Sequence, residues 1–155
     1  RIFVHCMDIK DAPARLGHGA FDVVVTNPPY SKVGEGMLPA NESCALARFE
    51  IACTLEDILA CASNLLKNGG DLYMVYPTRR LIELLDTMRA RNIAPKEVRF
   101  VHPYAAKEAR LALVHGVKNG AFTLRWLPPL ILYEREGVYT PEAKRIYGEQ
   151  ARDSQ

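Results

Sequence analysis

Residues 21–30, Phe-Asp-Val-Val-Val-Thr-Asn-Pro-Pro-Tyr, constrain the fold more than any other stretch of the chain. Val23, Val24 and Val25 are β-branched and adjacent, so both faces of the segment are apolar. That is the pattern of a central strand in a parallel sheet, covered by helices on both sides. Pro28 and Pro29 lack backbone donors and fix φ, so neither a ladder nor a helix continues through them. The strand therefore runs over residues 21–26 and stops at Asn27. Open α/β sheets bind their ligands at the carboxyl ends of the parallel strands, and Asn27 to Tyr30 stand at such an end.

The rest of the chain fills in an α/β order. Residues 2–7 read as a short strand ending at Asp8, and residues 9–20 as a polar connector. Residues 31–43 read as a loop. Ile51, Leu55, Ile58, Leu59, Ala62, Leu65 and Leu66 recur at helical spacing, which predicts a helix over about 44–67, stopped by Gly69-Gly70. Leu72–Tyr76 reads as a buried strand. Arg79–Arg91 reads as an amphipathic helix with Leu81, Ile82, Leu85 and Met88 inward. Val98–His102 and Ala109–Val117 are strands joined by about six residues, too few for a parallel crossover, so they must pair antiparallel. Phe122–Leu127 alternates like a strand, Pro128-Pro129 interrupts it, and Leu130–Tyr133 extends again. Thr140-Pro141-Glu142 supplies an N-cap, a proline at the first helical position and an acid in the first turn of a last short helix. The expectation is one domain over 1–155, with 119–155 as a strand and helix extension of it.

Composition excludes disorder and fibrous repeats: 48% of the 155 residues are hydrophobic and 25% are charged. A net charge of +2 does not by itself announce nucleic acid. No apolar stretch approaches the roughly 18 residues that span a bilayer, so no membrane partner is expected. Cys6, Cys44, Cys53 and Cys61 form no Cys-x-x-Cys pair. His5, His18, His102 and His115 are scattered without ligand spacing, so no metal site is expected. The cysteines read as reduced residues of a cytoplasmic protein.

The chemistry of Asn27-Pro28-Pro29-Tyr30 is specific. The Asn27 amide oxygen accepts hydrogen bonds, Pro28 presents a carbonyl from a stiff backbone without a donor, and Tyr30 offers a flat face. Two acceptors and a stacking face suit a planar amine. Holding both amino protons leaves the nitrogen lone pair free to attack an electrophilic methyl group. Positioning and electrostatics do most of that work.

Residues 21–30 resemble the amino-methyltransferase signature of class I S-adenosylmethionine-dependent enzymes. Several other segments are similar to the tRNA1(Val) (adenine(37)-N6)-methyltransferase family. They are Ala47-Arg48-Phe49-Glu50, Cys53-Thr-Leu-Glu-Asp57, Arg99-Phe-Val-His-Pro103, Lys107 to Val114, and Leu127 to Tyr133 with Tyr139-Thr-Pro-Glu142. The resemblance implies a Rossmann-like α/β sandwich, mostly parallel with a C-terminal antiparallel hairpin. It implies S-adenosylmethionine as cofactor and tRNA as substrate, methylated on an adenine N6 beside the anticodon. Asn27, Pro28, Pro29 and Tyr30 would form the catalytic motif. Asp8 matches the position that contacts the cofactor's adenine, with Ile9 and Asn27 also on the cofactor side. The family's glycine-rich first loop and its ribose-binding acid have no counterpart here. The chain opens on Arg1 and runs directly into Ile2-Phe3-Val4, so the expectation is a piece truncated before its first strands. Its exposed sheet edges would then invite pairing between copies.

Two other readings stay open. One is a different amino-methyltransferase, acting on rRNA guanine N2 or protein glutamine N5. The other is an RNA-binding or structural fragment without activity. Residues 79–110 carry Arg79, Arg80, Arg89, Arg91, Lys96, Arg99, Lys107 and Arg110 against Glu83, Asp86, Glu97 and Glu108, a basic stretch that could track an RNA backbone or simply be solvated. Arg48 and Glu50 read mainly as exposed helix charges. Tyr104, Trp126 and Tyr133 could stack on bases, though their positions suit a core.

Overall fold

The computed structural model describes residues 1–28 and 53–148. A five-stranded sheet is built in the order β1-β2-β4-β3-β5. Its strands are β1 (Phe21–Thr26), β2 (Leu66–Pro77), β3 (Ile93–His102), β4 (Leu111–Lys118) and β5 (Arg125–Ile131). Strands β1 and β2 pair parallel, as do β3 and β5, whereas β4 runs antiparallel between β2 and β3. Four strands therefore point one way, and β4 returns between them. A small hairpin of β6 (Tyr133–Arg135) and β7 (Val138–Tyr139) follows.

Helices α1 (Ala12–Leu16), α2 (Leu55–Leu65) and α3 (Leu81–Ala90) supply the apolar cover, and α4 (Pro141–Tyr147) closes the described chain. Alternation along β2 sends Leu72, Met74 and Tyr76 to the buried face, where they meet Leu55, Ile58, Leu59 and Leu84. Tyr73 and Val75 point to the opposite face, and Tyr73 is 44% exposed. A smaller cluster of Ala12, Cys61 and Leu65 seats α1 on α2, with Val24 and Ile9 at its margin.

Several expectations meet their local chemistry directly. Strand β1 has the expected bounds. The antiparallel β3–β4 pair is in place, with Val98 opposite Val114. Helix α4 opens as expected: the Thr140 hydroxyl accepts from the Ala143 N–H at 3.2 Å, and Gly148 closes it at φ +74°.

Other expectations are corrected. Residues 2–7 are not a strand: Ile2, Phe3 and Val4 are 92%, 73% and 91% exposed and pair with nothing among the described residues. Extended backbone becomes a strand only with a partner, which composition does not reveal. Among the described residues β1 is an edge of the sheet rather than a central strand, and the face that carries Val23 and Val25 is exposed. The helix expected over 44–67 begins at Leu55 within the described residues and ends at Leu65, not 67. Its last carbonyls, of Asn64 and Leu65, accept from the Gly19 and Ala20 N–H groups, and the chain turns at once into β2. In α3, Leu81, Leu84 and Met88 form the buried stripe, and Ile82 is 79% exposed because it falls one helical step off that stripe. Pro128-Pro129 does not interrupt β5. An edge strand tolerates missing donors, and a register shift opposite Arg99 and Val101 absorbs the pair.

Candidate functional site at the carboxyl end of the sheet

Thr26 is the last residue of β1 and lies opposite Met74 of β2. Asn27 follows, exposed, and Pro28 behind it is buried. The buried carbonyl-bearing residue thus carries no N–H that would need a partner. Pro29 and Tyr30, like Arg48, Glu50 and Cys44, lie outside the described residues.

Helix α2 runs back along the sheet to deliver β2 parallel to β1, so its N-terminus stands at the carboxyl end of the strands. A capping box fixes that terminus. The Asp57 N–H donates to the Thr54 hydroxyl oxygen at 3.1 Å, and the Thr54 N–H donates to Asp57 Oδ2 at 3.0 Å. Hydrogen bonds from the Thr54 backbone and hydroxyl, aided by the Lys10 cation, hold the Asp57 carboxyl below its usual range. Lys10 Nζ stands 3.4 Å from Asp57 Oδ2. Asp8 and Ile9 reach the same place. Asp8 caps a 3-10 turn over Ile9–Asp11, accepting from the Lys10 N–H at 2.9 Å. Ile9 is half-buried against the core beside Val24 of β1. Cys53 completes the cluster, and burial, then the Asp57 charge, pushes its thiol up.

The fold thus gathers Asp8, Ile9, Asn27 and Pro28 at one end of the sheet. Asp8 offers a carboxylate acceptor and Ile9 an apolar side chain, a pairing that fits an aminopurine ring. Lys10 belongs to this corner and was not singled out from sequence, whereas Thr54 and Asp57 entered only as part of a family-like segment, without a role. The Thr-x-x-Asp spacing is the signal that marks Thr54 and Asp57 as a capping box; Lys10 reaches it only through the fold.

A second feature lies on the sheet face away from α2 and α3. A 290 Å³ groove is lined by Val25, Thr26, Tyr73, Leu113, His115 and Leu127, among others. His115 Nε2 is 2.7 Å from Asp71 Oδ1, and the Tyr73 ring stacks on the imidazole at 4.7 Å. No group of three or more His, Cys, Asp or Glu side chains among the described residues could hold a metal ion. No helix among them is long and apolar enough to cross a membrane.

Solved structures share this architecture. A predicted O-methyltransferase of Agrobacterium tumefaciens superimposes with a TM-score of 0.67 at 22% identity, covering 89% of this chain and 56% of its own. A proposed DNA modification methylase of Thermus thermophilus gives 0.51 at 16%, covering 76% of this chain and 54% of its own. The fold is a methyltransferase fold. No known family profile matches the chain. Among curated relatives, the tRNA1(Val) (adenine(37)-N6)-methyltransferase of Porphyromonas gingivalis strain W83 is 27% identical over 154 residues, 94% of this chain. The protein of the same name in Flavobacterium johnsoniae is 25% identical over 122 residues, 79% of this chain. The chain spans 58% of the length of the first relative and 51% of the second.

Proposed function

We propose that this chain is the substrate-side part of an S-adenosylmethionine-dependent enzyme that methylates an adenine N6 in tRNA. The observation that carries the reading is Asn27-Pro28 at the carboxyl end of β1 in a methyltransferase fold, in a chain related along 94% of its length to proteins named for that reaction. When bound, S-adenosylmethionine supplies an electrophilic methyl group. The chain's own residues hold the nucleophile. The Asn27 amide oxygen and the Pro28 carbonyl accept hydrogen bonds from the two N6–H groups, which turns the nitrogen lone pair toward the methyl position. Tyr30 supplies the ring that stacks on the adenine, and Pro29 completes the motif without a backbone donor. Asp8 and Ile9 hold the adenine of the cofactor. The target base has to leave the loop stack to reach Asn27, as in other base-modifying enzymes. A tRNA-modifying enzyme of this kind acts in the cytoplasm.

The test is incubation of the intact protein with total tRNA, ribosomal RNA and a release factor, using methyl-labelled cofactor. Label recovered as N6-methyladenosine in tRNA supports the reading. Label in guanine or in protein, with none in tRNA, replaces it with another amino-methyltransferase.

A further inference from the structure

Several cations of the described chain are already paired. Lys10, Arg15, Lys67, Arg80, Arg91, Arg99 and Arg125 each have a carboxylate partner. Arg79, Lys107 and Arg110 are different: all three are exposed, and none pairs with a carboxylate among the described residues. All three lie at the same end of the sheet as Asn27. Arg79 follows the end of β2, the strand next to β1, and the other two lie in the loop between β3 and β4.

Two bonds lock the loops together. The Thr78 hydroxyl donates to the Ala109 carbonyl at 2.7 Å, and the Thr78 N–H donates to the Arg110 carbonyl at 3.1 Å. The same loop carries Tyr104, one end of a series of rings. Its centroid lies 5.7 Å from that of Tyr133, which stacks on Tyr139 at 4.7 Å. Among the described residues Tyr104 has one ring neighbour, and its side chain is only half-buried, which leaves ring surface for a stacking partner. Of the other described cations without a carboxylate partner, Arg89 sits over the Phe122 ring, Lys96 and Lys118 donate to the Ala121 and Ser63 carbonyls, Arg135 stands between Glu134 and Glu136, and Lys144 and Arg145 lie in the last turn of α4, where they face the negative helix end. Glu108 is the one acid between Lys107 and Arg110.

We infer that Arg79, Lys107, Arg110 and Tyr104 form a docking rim for unpaired RNA nucleotides next to the base held by Asn27. The cations take the phosphates, and Tyr104 takes a base by stacking. Strands β1 and β3 are three spacings apart, roughly 14 Å, which places the rim within a few nucleotides of the target. A fully paired helix offers phosphates but no unstacked base, so the tyrosine selects a loop over a stem. The inference rests on the reading that the substrate is RNA.

Fluorescence anisotropy of the intact protein tests it, using a hairpin RNA with an adenine-containing loop and a duplex of the same stem. Tyr104→Ala is expected to weaken hairpin binding roughly 5- to 100-fold and leave duplex binding near wild type. Tyr104→Phe retains the ring and binds like wild type. Arg79→Ala combined with Lys107→Ala, both at exposed positions, weakens both RNAs and lowers the salt slope by about 1 to 2. Wild-type hairpin affinity in the alanine variants overturns the inference, as does a Tyr104→Ala loss equal for hairpin and duplex. If tRNA is methylated at N6 while these variants bind normally, the rim fails and the reaction stands. If hairpin binding follows the variants but label goes to guanine, the reaction fails and the rim stands.

Discussion

Gly116 of β4 lies directly beneath Met88 of α3, so close that no Cβ fits between them. A Cβ built on Gly116 would fall 2.8 Å from Ile93 Cγ2 and closer still to Met88 Cε. Met88 and Ile93 are fully buried, so a shift of either has to be taken up by the packed core around them. Gly116→Ala is therefore expected to destabilise the protein by about 1–3 kcal/mol through overpacking. Met88→Leu removes the terminal methyl, and the double variant should lose less than the two single changes added together. Urea unfolding of the four proteins measures this directly; strict additivity would mean that Met88 is not what limits the site.

The capping box at α2 makes a pH-dependent contribution. Asp57→Ala removes the acceptor for the Thr54 N–H and is expected to cost roughly 0.5–2 kcal/mol near neutral pH. Asp57 is held below its ordinary pKa of 3.8 in the folded state. Its contribution is therefore complete above that value and is lost as pH falls below it, once both states are protonated. Thermal unfolding at neutral pH and at about pH 3 should show the gap between wild type and variant narrowing in acid. A gap that widens in acid would reverse the sign assigned here.

Thiol reactivity should separate the cysteines. Cys6 is exposed, Cys53 is half-buried and Cys61 is buried. Burial pushes both Cys53 and Cys61 above the ordinary thiol value of 9.0, so little thiolate forms at either near neutral pH. In a Cys44→Ser background, a disulfide reagent at about pH 8 is expected to titrate one thiol quickly and two slowly, with the slow phases still accelerating above pH 9. Three equal rates would mean that the α1–α2 seam opens readily.

Local chemistry was legible from the chain, and partnership was not. The β-branched run ended by prolines marks β1, and Thr140-Pro141-Glu142 marks the start of α4, because each signal is complete within a few residues. The six-residue connector forces β3 and β4 to pair antiparallel, and they do. By contrast, Ile2-Phe3-Val4 has strand composition without a neighbouring strand. Pro128-Pro129 looked like a break, yet Arg99 Nε donates to the Pro128 carbonyl at 2.9 Å within a continuous edge strand. At the site, Asn27 and Pro28 were readable as a strand end with acceptors. The Arg79, Lys107 and Arg110 rim was readable only as a basic stretch, because the Thr78–Ala109 bond that assembles it joins residues 31 apart.

The catalytic reading stands or falls on Asn27. If its amide oxygen holds one N6 proton, Asn27→Ala in the intact protein leaves the amino group free to rotate and its lone pair misaligned. Loss of one such positioned polar group costs about 100- to 1,000-fold in kcat. Binding of the RNA rests on contacts elsewhere, so KM should change far less than kcat. Asn27→Asp keeps an acceptor at the same place and should retain more activity than the alanine variant. Single-turnover methylation of tRNA under saturating cofactor separates these terms. Alanine activity equal to wild type would mean the amino group is held by other residues, and Asn27 would be reduced to the polar end of β1.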